Sequence, residues 1–413
     1  MSAGVIVVGA GQAGGRAALL LAERGYSGPV TVIGAEASPP YERPPLSKEM
    51  LADPNLPPPL LAPMEAYERQ GVTLRLGCRV TAIDRDARRV ILDDGALLPY
   101  DRLILATGGQ PRQLPFALER LHALRTIDDV RAIAARADAG GSVLVIGGGV
   151  IGLEVAATLR KRGLAVTVLE VGSRVLGRNF PAPVARVIAE RHVAEGVDLR
   201  TGLRVRTLTE DAAGVHATLS DGATITADFA VAGIGITPDT ALAQACGLVI
   251  DDGILVDSDM RSSDPSVFAI GDIAALPGPE GRPTRCETWQ NANVTAERAV
   301  AAILGESVPP GEASWFWTDQ YDLNVQLTGD TVDGRVVEQR ASVADGRLFL
   351  VLKGDRLIGA AAINAGRDMS VCRRLVAAGA RLPDAMTEAA LFDARAARAL
   401  LTPVPASARP VDA

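Results

Sequence analysis

The feature that most constrains the fold of this chain is a glycine motif that occurs twice, each time between two apolar segments. Residues 5–36 contain VIVV, then GAGQAG, then an apolar-periodic segment and a second apolar run, VTVIGAE. Residues 142–170 repeat this order in SVLVIGGGVIGLEVAATLRKRGLAVTVLE. A strand, a glycine turn, a helix and a second strand form the βαβ unit of dinucleotide-binding folds. The repeat therefore predicts an α/β chain with two dinucleotide-binding units.

Each unit offers the same two kinds of contact to a dinucleotide. Glycines let backbone N–H groups approach a pyrophosphate at the positive end of the helix. An acidic side chain after the second strand accepts a hydrogen bond from a ribose hydroxyl. The predicted contacts are Gly9, Gly11, Ala13, Gly14 and Glu36 in the first unit, and Gly147, Gly149, Val150, Ile151, Gly152 and Glu170 in the second.

Two such units in one chain are most simply explained by FAD in the first and a nicotinamide dinucleotide in the second, since these two groups exchange electrons directly. Glu170 favours NADH over NADPH, because a 2′-phosphate beside a carboxylate costs roughly 4 kcal/mol at about 4 Å for an effective dielectric near 20. Arg174 and Arg178 lie a few residues on and are the alternative partners for a phosphate. We give the carboxylate more weight because it occupies the fingerprint position.

Two segments rich in glycine and proline are predicted to carry the chain between domains. In YDRLILATGGQPRQLP an apolar strand runs into Ala106, Thr107 and Gly108, where small residues let the backbone leave a sheet close to a ligand. The return crossing is predicted in AGIGITPDT, which contains Gly235. Such clusters also end many strands that touch no cofactor.

A third segment suggests a flavin contact. RSSDPSVFAIGD predicts a turn and a buried strand, followed by Gly271 and Asp272. A carboxylate next to glycine suits the ribityl hydroxyls of a flavin, although Asp272 also suits a turn or a helix N-cap. Helical periodicity from about Thr288 to Leu304 predicts a helix whose amino-terminal turn faces the pyrimidine end of the flavin.

Composition limits the kinds of partner. The chain has 42 basic and 49 acidic residues, a formal net charge of −7 and no basic tract, so nucleic-acid binding is not expected. Four scattered cysteines and three histidines have no ligand spacing, which argues against a metal site and a disulfide framework. The apolar run GSVLVIGGGVIGLEVAATL is interrupted by glycines and Glu154, which argues against a membrane-spanning helix. The amino terminus leads directly into the glycine motif, so we expect a cytoplasmic protein with no membrane contact.

The order of the motifs also resembles that of a known family. These motifs are GAGQAG, YERPPLSK, LATGG, GGGVIGLEVAA, VTVLE, FAIGD, ETWQNA and WFWTDQY. Together they resemble the FAD-dependent ferredoxin reductases of bacterial oxygenase systems, the family of putidaredoxin reductase and the biphenyl dioxygenase ferredoxin reductase. The likeness runs from about residue 4 to about residue 378. The double fingerprint is shared with all glutathione-reductase-like flavoproteins, whereas RPPLSK and WFWTDQY are far more specific to this branch.

The resemblance implies two Rossmann-like dinucleotide-binding domains and a C-terminal α/β domain. It places an FAD-binding domain in residues 1–112 and 245–310, an NADH-binding domain in residues 113–244, and the C-terminal domain in residues 311–403. Residues 404–413 are rich in proline and small side chains and are expected to be disordered.

The resemblance also implies roles for single residues. Lys48, one of only three lysines in the chain, is implied to lie beside the flavin N5 edge and to pair with Glu154, which approaches the nicotinamide. Trp317 is implied to lie close to the flavin ring. The alternatives are that Lys48 caps a surface helix and that Trp317 builds a core. The further FAD contacts implied are Arg43, Val80, Arg125 and Trp289.

One departure concerns the first acidic residue. Several relatives carry an acid directly after the glycine that closes the second strand, whereas this chain has Ala35 there and the acid at Glu36. The ribose contact of Glu36 is therefore left open.

The cysteines bear on where the electrons go. Disulfide reductases of this architecture pass electrons to a cysteine pair, and the oxidase and peroxidase branch uses a lone cysteine near the position of residues 45–47, but the first cysteine here is Cys78. We therefore expect hydride transfer from NADH to FAD, then single-electron transfer to a [2Fe–2S] ferredoxin that serves a haem monooxygenase or a Rieske dioxygenase.

The alternatives are a rubredoxin reductase, an NADH oxidase or peroxidase, and a scaffold flavoprotein, which the acidic charge disfavours. Arginines such as Arg298 are expected to dock an acidic ferredoxin. The oligomeric state is open between a monomer and a weak dimer.

Overall fold

The computed structural model describes residues 3–278, 281–307 and 313–401. They form two compact units. The first comprises described residues within Met1–Pro115, Ala123–Ala135 and Ile234–Pro310, and the second those within Phe116–His122, Arg136–Gly233 and Gly311–Ala413. The three predicted domains stay a prediction. The predicted start of the C-terminal domain at residue 311 and the predicted disordered tail, 404–413, lie outside the described residues.

The strands of the described residues alternate with helices in residues 5–34 and 142–201, whereas the strands in residues 72–123 follow one another without a helix. They are β1 (Val5–Val8), β2 (Val30–Gly34), β3 (Val72–Leu76), β4 (Val80–Asp84), β5 (Arg89–Leu92), β6 (Leu97–Pro99), β7 (Arg102–Leu105), β8 (Gly109–Pro111), β9 (Leu121–Ala123), β10 (Ser142–Ile146), β11 (Ala165–Glu170), β12 (Asp198–Thr201), β13 (Val205–Asp211), β14 (Gly214–Leu219), β15 (Thr224–Ala227), β16 (Phe229–Ala232), β17 (Ile236–Pro238), β18 (Ile254–Leu255), β19 (Val267–Ala269), β20 (Ala274–Pro277), β21 (Pro283–Thr284), β22 (Trp315–Gln320), β23 (Leu323–Gly329), β24 (Arg335–Arg340), β25 (Arg347–Lys353) and β26 (Arg356–Ile363).

The helices range from single turns to four turns. They are α1 (Gln12–Glu23), α2 (Glu49–Ala52), α3 (Met64–Arg69), α4 (Ile127–Ala137), α5 (Val150–Lys161), α6 (Ala182–Ala194), α7 (Ala241–Ala245), α8 (Trp289–Leu304), α9 (Gly366–Ala377), α10 (Asp384–Thr387) and α11 (Ala394–Ala399). Short 3-10 turns occur at Pro44–Ser47 and Gly271–Ile273.

The first unit is built around a parallel sheet with the strand order β19-β7-β1-β2-β3. All four residues of β1 are buried, as the continuous apolar run VIVV predicts for a strand covered on both faces. Strand β1 pairs with β2 on one side and with β7 on the other, so the strand order changes direction at β1. Ligands of such sheets bind beyond the carboxyl ends of the strands at this position.

The second unit repeats this arrangement. Its parallel strands β12, β11, β10 and β16 lie side by side, with β10 between β11 and β16. The α/β fold and the two Rossmann-like units are therefore confirmed. Each unit places the end of its fingerprint strand at the change in strand order, which positions both glycine turns for ligand binding.

The second unit also contains an antiparallel sheet with the order β22-β23-β26-β25-β24. Leu348, Leu350 and Leu352 of β25 pack with Met369 and Leu375 of α9 in one hydrophobic core. Strand β22 forms an edge of this sheet, and from Trp317 on its side chains are alternately half-buried and buried.

Several predicted elements are confirmed in detail. The helix predicted from about Thr288 to Leu304 is α8, with Thr288 as its N-cap, whose hydroxyl accepts from the backbone N–H of Asn291 at 3.1 Å. The second strand of the first fingerprint was expected to close at the glycine before Ala35, and β2 does end at Gly34. Beyond the strand, the Glu36 carbonyl accepts from the N–H of Gly77 at 2.9 Å.

Candidate active site

The first glycine turn leaves no room for larger side chains at two of its positions. Gly9 has a φ of +113°, and a Cβ there would lie 2.2 Å from the carbonyl oxygen of Ala106. A Cβ on Gly14 would lie 1.9 Å from the carbonyl oxygen of Gly9. These two glycines are therefore required for α1 and the neighbouring strand end to pack against the turn.

Gly11 differs from these two glycines. It is the N-cap of α1, no side chain in the described part of the chain caps that end, and the nearest atom to an added Cβ is Nη2 of Arg43 at 3.9 Å. Packing within the protein therefore permits a side chain here. The uncapped N–H groups of the first turn need an acceptor, and a pyrophosphate oxygen fits that requirement.

The second glycine turn has the same geometry. Gly147 has a φ of +111°, and a Cβ on Gly152 would lie 2.0 Å from the carbonyl oxygen of Gly147. Gly149 is the N-cap of α5, again without a side-chain cap among the described residues, and an added Cβ there would lie 3.9 Å from the carbonyl oxygen of Gly233. Val150 and Ile151 form the first turn of α5. Both glycine turns therefore fit a dinucleotide pyrophosphate.

The acidic residue of the first fingerprint is held by two neighbours. The Glu36 carboxylate accepts a hydrogen bond of 2.9 Å from Nη2 of Arg43 and one of 2.5 Å from the hydroxyl of Tyr41. Burial alone would lower the pKa of Arg43, but Tyr41 and Glu36 raise it above the ordinary value, so its charge is secure. Arg43 also donates to the carbonyl oxygen of Arg125.

The acidic residue of the second fingerprint binds its own glycine turn. One Glu170 oxygen accepts from the N–H of Gly148 at 2.7 Å, and the other accepts from the N–H of Gly172 at 2.6 Å. A carboxylate has about four acceptor positions, so capacity for ribose hydroxyls is left. Glu170 therefore fixes the shape of the turn, a role that sequence reasoning missed.

Asp272 lies in a polar cluster of the first unit. Its carboxylate pairs with Nη2 of Arg125 at 3.1 Å, and its carbonyl oxygen accepts from Nη1 of Arg285 at 2.9 Å. The N–H of Gly271 donates to the hydroxyl of Thr295 on α8 at 2.8 Å. A Cβ on Gly271 would lie 3.0 Å from the Cβ of Ala13.

The Arg125 guanidinium extends this cluster to the end of β7. A Cβ on Gly108 would lie 3.1 Å from Nη2 of Arg125, which is the nitrogen that pairs with Asp272. The first unit therefore brings together most of the residues predicted for FAD, namely Gly9, Gly11, Ala13, Gly14, Glu36, Arg43, Ala106, Gly108, Arg125, Gly271 and Asp272.

The two predicted crossing segments pair with each other. Strands β8 and β17 form an antiparallel ladder, and the hydroxyl of Thr107 donates to the carbonyl oxygen of Asp239 at 2.9 Å. Gly235 has a φ of +92°, and its carbonyl oxygen accepts from the N–H of Arg112 at 2.9 Å. Gly235 belongs to the first unit, whereas the other residues predicted for NADH belong to the second.

Glu154 is a buried carboxylate on α5 with 2% of its surface exposed. The hydroxyl of Thr318 on β22 donates to it at 2.6 Å. Nε2 of Gln320 donates to that hydroxyl at 3.1 Å, and Oε1 of Gln320 lies 2.8 Å from Nε2 of His192 on α6. The structure thus links a predicted catalytic residue to three buried polar residues that the sequence did not single out.

Lys48 is half-buried between the 3-10 turn at Pro44–Ser47 and α2. Its N–H donates to the carbonyl oxygen of Pro45 at 3.1 Å, and its carbonyl oxygen accepts from the N–H of Ala52 at 2.8 Å. The backbone of Lys48 therefore starts a short helix. Its proposed contact with a flavin stays a prediction.

Three other predicted residues lie in different settings. Trp289 begins α8, and its carbonyl oxygen accepts from Nδ2 of Asn293 at 2.8 Å. Trp317 stacks on Trp315 with ring centroids 5.1 Å apart, as expected for alternate residues of a strand. Val80 lies on β4 with 5% of its surface exposed, in the hydrophobic core of the first unit.

Sequence reasoning missed several polar residues that bond to the first glycine turn, to the Gly271–Asp272 segment, or to Glu154 directly or through one another. Asn293 provides one signal, because its Oδ1 accepts from Nε2 of Gln12 at 3.0 Å and so ties α8 to the start of α1. Asn293 is a half-buried amide on a helix whose buried face is mostly small and apolar. The missed residues are Gln12, Arg285, Asn293, Thr295, Thr318, Gln320 and His192.

The four cysteines are free thiols. Burial raises the pKa of Cys286, a thiol of the first unit that is influenced by the charge of Asp272, so its reactive thiolate is suppressed. Among the described residues no three histidine, cysteine or acidic side chains converge to hold a metal. Within the same residues no helix has the length and apolar character needed to span a membrane.

Known proteins resemble most of the chain. The sequence profile of the pyridine nucleotide-disulphide oxidoreductase family matches residues 3–296, and that of a reductase C-terminal domain matches residues 315–397. The chain is 39% identical over 378 residues to the ferredoxin–NAD+ reductase component of the p-cumate 2,3-dioxygenase system of Pseudomonas putida, covering 90% of this chain and 92% of the relative.

Two further matches agree with this one. The ferredoxin–NAD+ reductase component of the anthranilate 1,2-dioxygenase system of Burkholderia cepacia is 40% identical over 386 residues, with 92% of this chain and 95% of the relative covered. A crystal structure of the covalent complex of putidaredoxin reductase with putidaredoxin superposes with a TM-score of 0.88 at 34% identity, covering 94% of this chain and 95% of that one.

Proposed function

The chain belongs to the pyridine nucleotide-disulphide oxidoreductase family, and we propose that it is an FAD-containing NADH:ferredoxin reductase of an oxygenase system. The observation that carries this proposal is the duplicated glycine turn, in which Gly11 and Gly149 each start a helix with N–H groups that no described side chain caps. Two dinucleotides in one chain suit direct electron exchange. The relatives in sequence are named as reductase components of dioxygenase systems.

FAD is assigned to the first unit because its polar groups converge there. Arg43 and Arg125 supply positive charge beside the glycine turn, and Asp272 supplies an acceptor at the end of β19. Helix α8 points the positive end of its dipole from Trp289 toward the same region of the unit, held through Thr295. A bound flavin supplies the two-electron to one-electron step of the reaction.

NADH is assigned to the second unit. Glu170 holds the turn that binds the pyrophosphate and disfavours a 2′-phosphate by like charge. Glu154 is the carboxylate proposed to contact the nicotinamide, and Lys48 and Trp317 are the residues proposed to act at the flavin ring. These three roles rest on the resemblance of YERPPLSK, GGGVIGLEVAA and WFWTDQY to the motifs of the family.

The electron acceptor is proposed to be a separate [2Fe–2S] ferredoxin. One structural neighbour is putidaredoxin reductase in a covalent complex with putidaredoxin. Burial raises the pKa of each of the four free thiols, so an internal thiol relay is disfavoured. Free thiols also suit a reducing compartment, which supports the proposed cytoplasmic location. A monomer or weak dimer is proposed as the working form.

The acceptor can be identified by competition with oxygen. The purified FAD-loaded protein is given NADH in air, and NADH oxidation is followed alone, with a [2Fe–2S] ferredoxin and with a rubredoxin. We expect slow oxidation of NADH by the protein alone and many-fold faster oxidation of NADH when the ferredoxin is present. Rapid oxidation without a carrier would identify an oxidase, and stimulation by rubredoxin alone would replace the proposed acceptor.

A further inference from the structure

A chain of three buried hydrogen bonds in the second unit ends at Glu154. Thr318 and Gln320 lie on β22 with 0% and 1% of their surfaces exposed, and His192 lies on α6 with 0% exposed. The distances along the chain are 2.8 Å from His192 to Gln320, 3.1 Å from Gln320 to Thr318 and 2.6 Å from Thr318 to Glu154. Helix α6 is thereby connected to α5 through one strand.

The direction of these bonds follows from the donor and acceptor character of each group. Nε2 of Gln320 can only donate, so the Thr318 oxygen accepts from it and directs its own proton to Glu154. Oε1 of Gln320 can only accept, so Nε2 of His192 carries the proton. All three donors therefore point toward the carboxylate.

His192 suits the start of such a chain. Its Nδ1 is buried and has no hydrogen-bond partner among the described residues, which suits an unprotonated nitrogen. Burial lowers the pKa of His192, so the neutral ring is favoured. The ring of Tyr321 packs edge-on against it at 5.0 Å and fixes its plane.

Strand β22 would not need polar groups here for packing alone. Phe316, on the same face of the strand, fills its site by an edge contact with Phe180 at 5.5 Å. Thr318 and Gln320 occupy the next two positions of that face, where apolar side chains are the rule in a buried site. Buried polar groups cost stability unless they are paired, so their retention beside Glu154 calls for a reason.

We propose that Thr318, Gln320 and His192 are positioning residues that hold the Glu154 carboxylate in the orientation from which it contacts the nicotinamide. The inference rests on the proposed function, in which Glu154 contacts NADH. The C-terminal motif WFWTDQY would then contribute to nicotinamide binding through Thr318 and Gln320, in addition to the role proposed for Trp317 at the flavin ring.

The test compares two changes at one position with a matched control. Thr318→Val keeps the shape and removes the donor, whereas Thr318→Ser keeps the donor. Thr328→Val is the control, because Thr328 is 1% exposed on the adjacent strand β23 and its hydroxyl has no partner among the described residues. Flavin reduction by NADH is followed by stopped flow, and NAD+ affinity of the holoenzyme by equilibrium titration.

We expect Thr318→Val to lower the limiting rate of flavin reduction by about tenfold, the loss typical of a hydrogen bond to a charged group. NAD+ affinity should fall by a smaller factor, because orientation affects the hydride-transfer geometry more than binding. Thr318→Ser and Thr328→Val should behave as the wild type does. Electron transfer from the chemically reduced enzyme to ferredoxin should be unchanged in every variant.

Gln320→Leu tests the chain beyond Thr318. If Gln320 acts through Thr318, the double variant Thr318→Val/Gln320→Leu should be no slower than Thr318→Val alone, so the two effects are non-additive. Additive losses would mean that Gln320 does not act through Thr318. The single variant Gln320→Leu also keeps the proposal testable if Thr318→Val fails to fold.

The outcomes separate the inference from the function on which it rests. A Thr318→Val protein that reduces its flavin at the wild-type rate and is only less thermostable would show a structural role and overturn the inference. A wild-type protein that binds NAD+ but whose flavin is not reduced by NADH would instead overturn the proposed function.

Discussion

Thr318 donates a hydrogen bond of 2.6 Å to the carboxylate of Glu154, a residue 164 positions earlier in the chain. The two residues belong to different motifs, WFWTDQY and GGGVIGLEVAA. The C-terminal motif is therefore bonded directly to the helix of the second fingerprint. Replacement of Glu154 is therefore the simplest test of the proposed nicotinamide site.

Glu154→Gln should slow the reduction of the flavin by NADH by about tenfold or more, because an isosteric amide lacks the charge that the proposed site uses to orient the nicotinamide. FAD content should stay at the wild-type level. Stopped-flow absorbance of the flavin measures the effect, and Glu190→Gln, with a side chain that is 70% exposed, is the control. Equal rates in Glu154→Gln and the control would remove Glu154 from the reaction.

Gly11→Ala and Gly149→Ala form a matched pair that assigns the two dinucleotides. A methyl group meets its nearest protein atom at 3.9 Å in both positions, so both variants should fold with wild-type stability. Gly11→Ala should lose most of its FAD, because the methyl group blocks the approach of the pyrophosphate to α1. Gly149→Ala should keep FAD and bind NAD+ more weakly by about tenfold or more.

Flavin absorbance per protein and NAD+ titration report these two effects, and thermal unfolding reports stability. Gly14→Ala serves as the contrasting case, since its methyl group would lie 1.9 Å from a carbonyl oxygen and the variant should be unstable. An exchange of the Gly11 and Gly149 results would mean that the two sites have been assigned in the wrong order.

Asp272→Asn should weaken FAD retention, because the change removes the negative charge that pairs with Arg125 at 3.1 Å and the proposed acceptor for a ribityl hydroxyl. We expect about a tenfold increase in the FAD dissociation constant, from the typical value of one charged hydrogen bond. Fluorescence of released flavin on dilution measures it. Asp128→Asn, whose side chain is 87% exposed, should leave retention unchanged, and equal retention in both variants would contradict the role of Asp272.

Glu170→Ala should narrow the preference for NADH over NADPH by about tenfold, since like-charge repulsion of a 2′-phosphate is removed. The value of kcat/KM for NADH should also fall, because the N–H groups of Gly148 and Gly172 lose their acceptor and the turn loosens. The value for NADPH should change less. Steady-state kinetics with both nucleotides decide this, and an unchanged ratio would mean that Arg174 or Arg178 sets the preference.

The repeating elements of the fold were predictable from the sequence because their signals are local. The apolar runs and the glycine spacing predicted β1, α1, β10, α5 and β11, and the helical periodicity from about Thr288 predicted the start of α8. The end of β2 at Gly34 was also predictable, because a glycine closes the apolar run there.

The longest-range polar bonds of the site were not predictable, because they join residues far apart in the chain. His192 and Gln320 are separated by 128 positions, and Arg125 and Asp272 by 147. A single sequence gives no pairing information at that range. Glu170 is an exception, since its bonds to Gly148 and Gly172 join residues of one βαβ unit and its position at the strand end was the signal.

The central claim is that one chain passes electrons from NADH through FAD to a separate iron–sulfur carrier. Its most direct test is to mix the purified protein with NADH and a [2Fe–2S] ferredoxin without oxygen, and to follow the iron–sulfur absorbance. The account predicts a yellow protein that reduces many ferredoxin molecules per chain with NADH and far fewer with NADPH. A colourless protein that cannot be reconstituted with FAD, or a yellow one that consumes NADH while the ferredoxin stays oxidised, would contradict it.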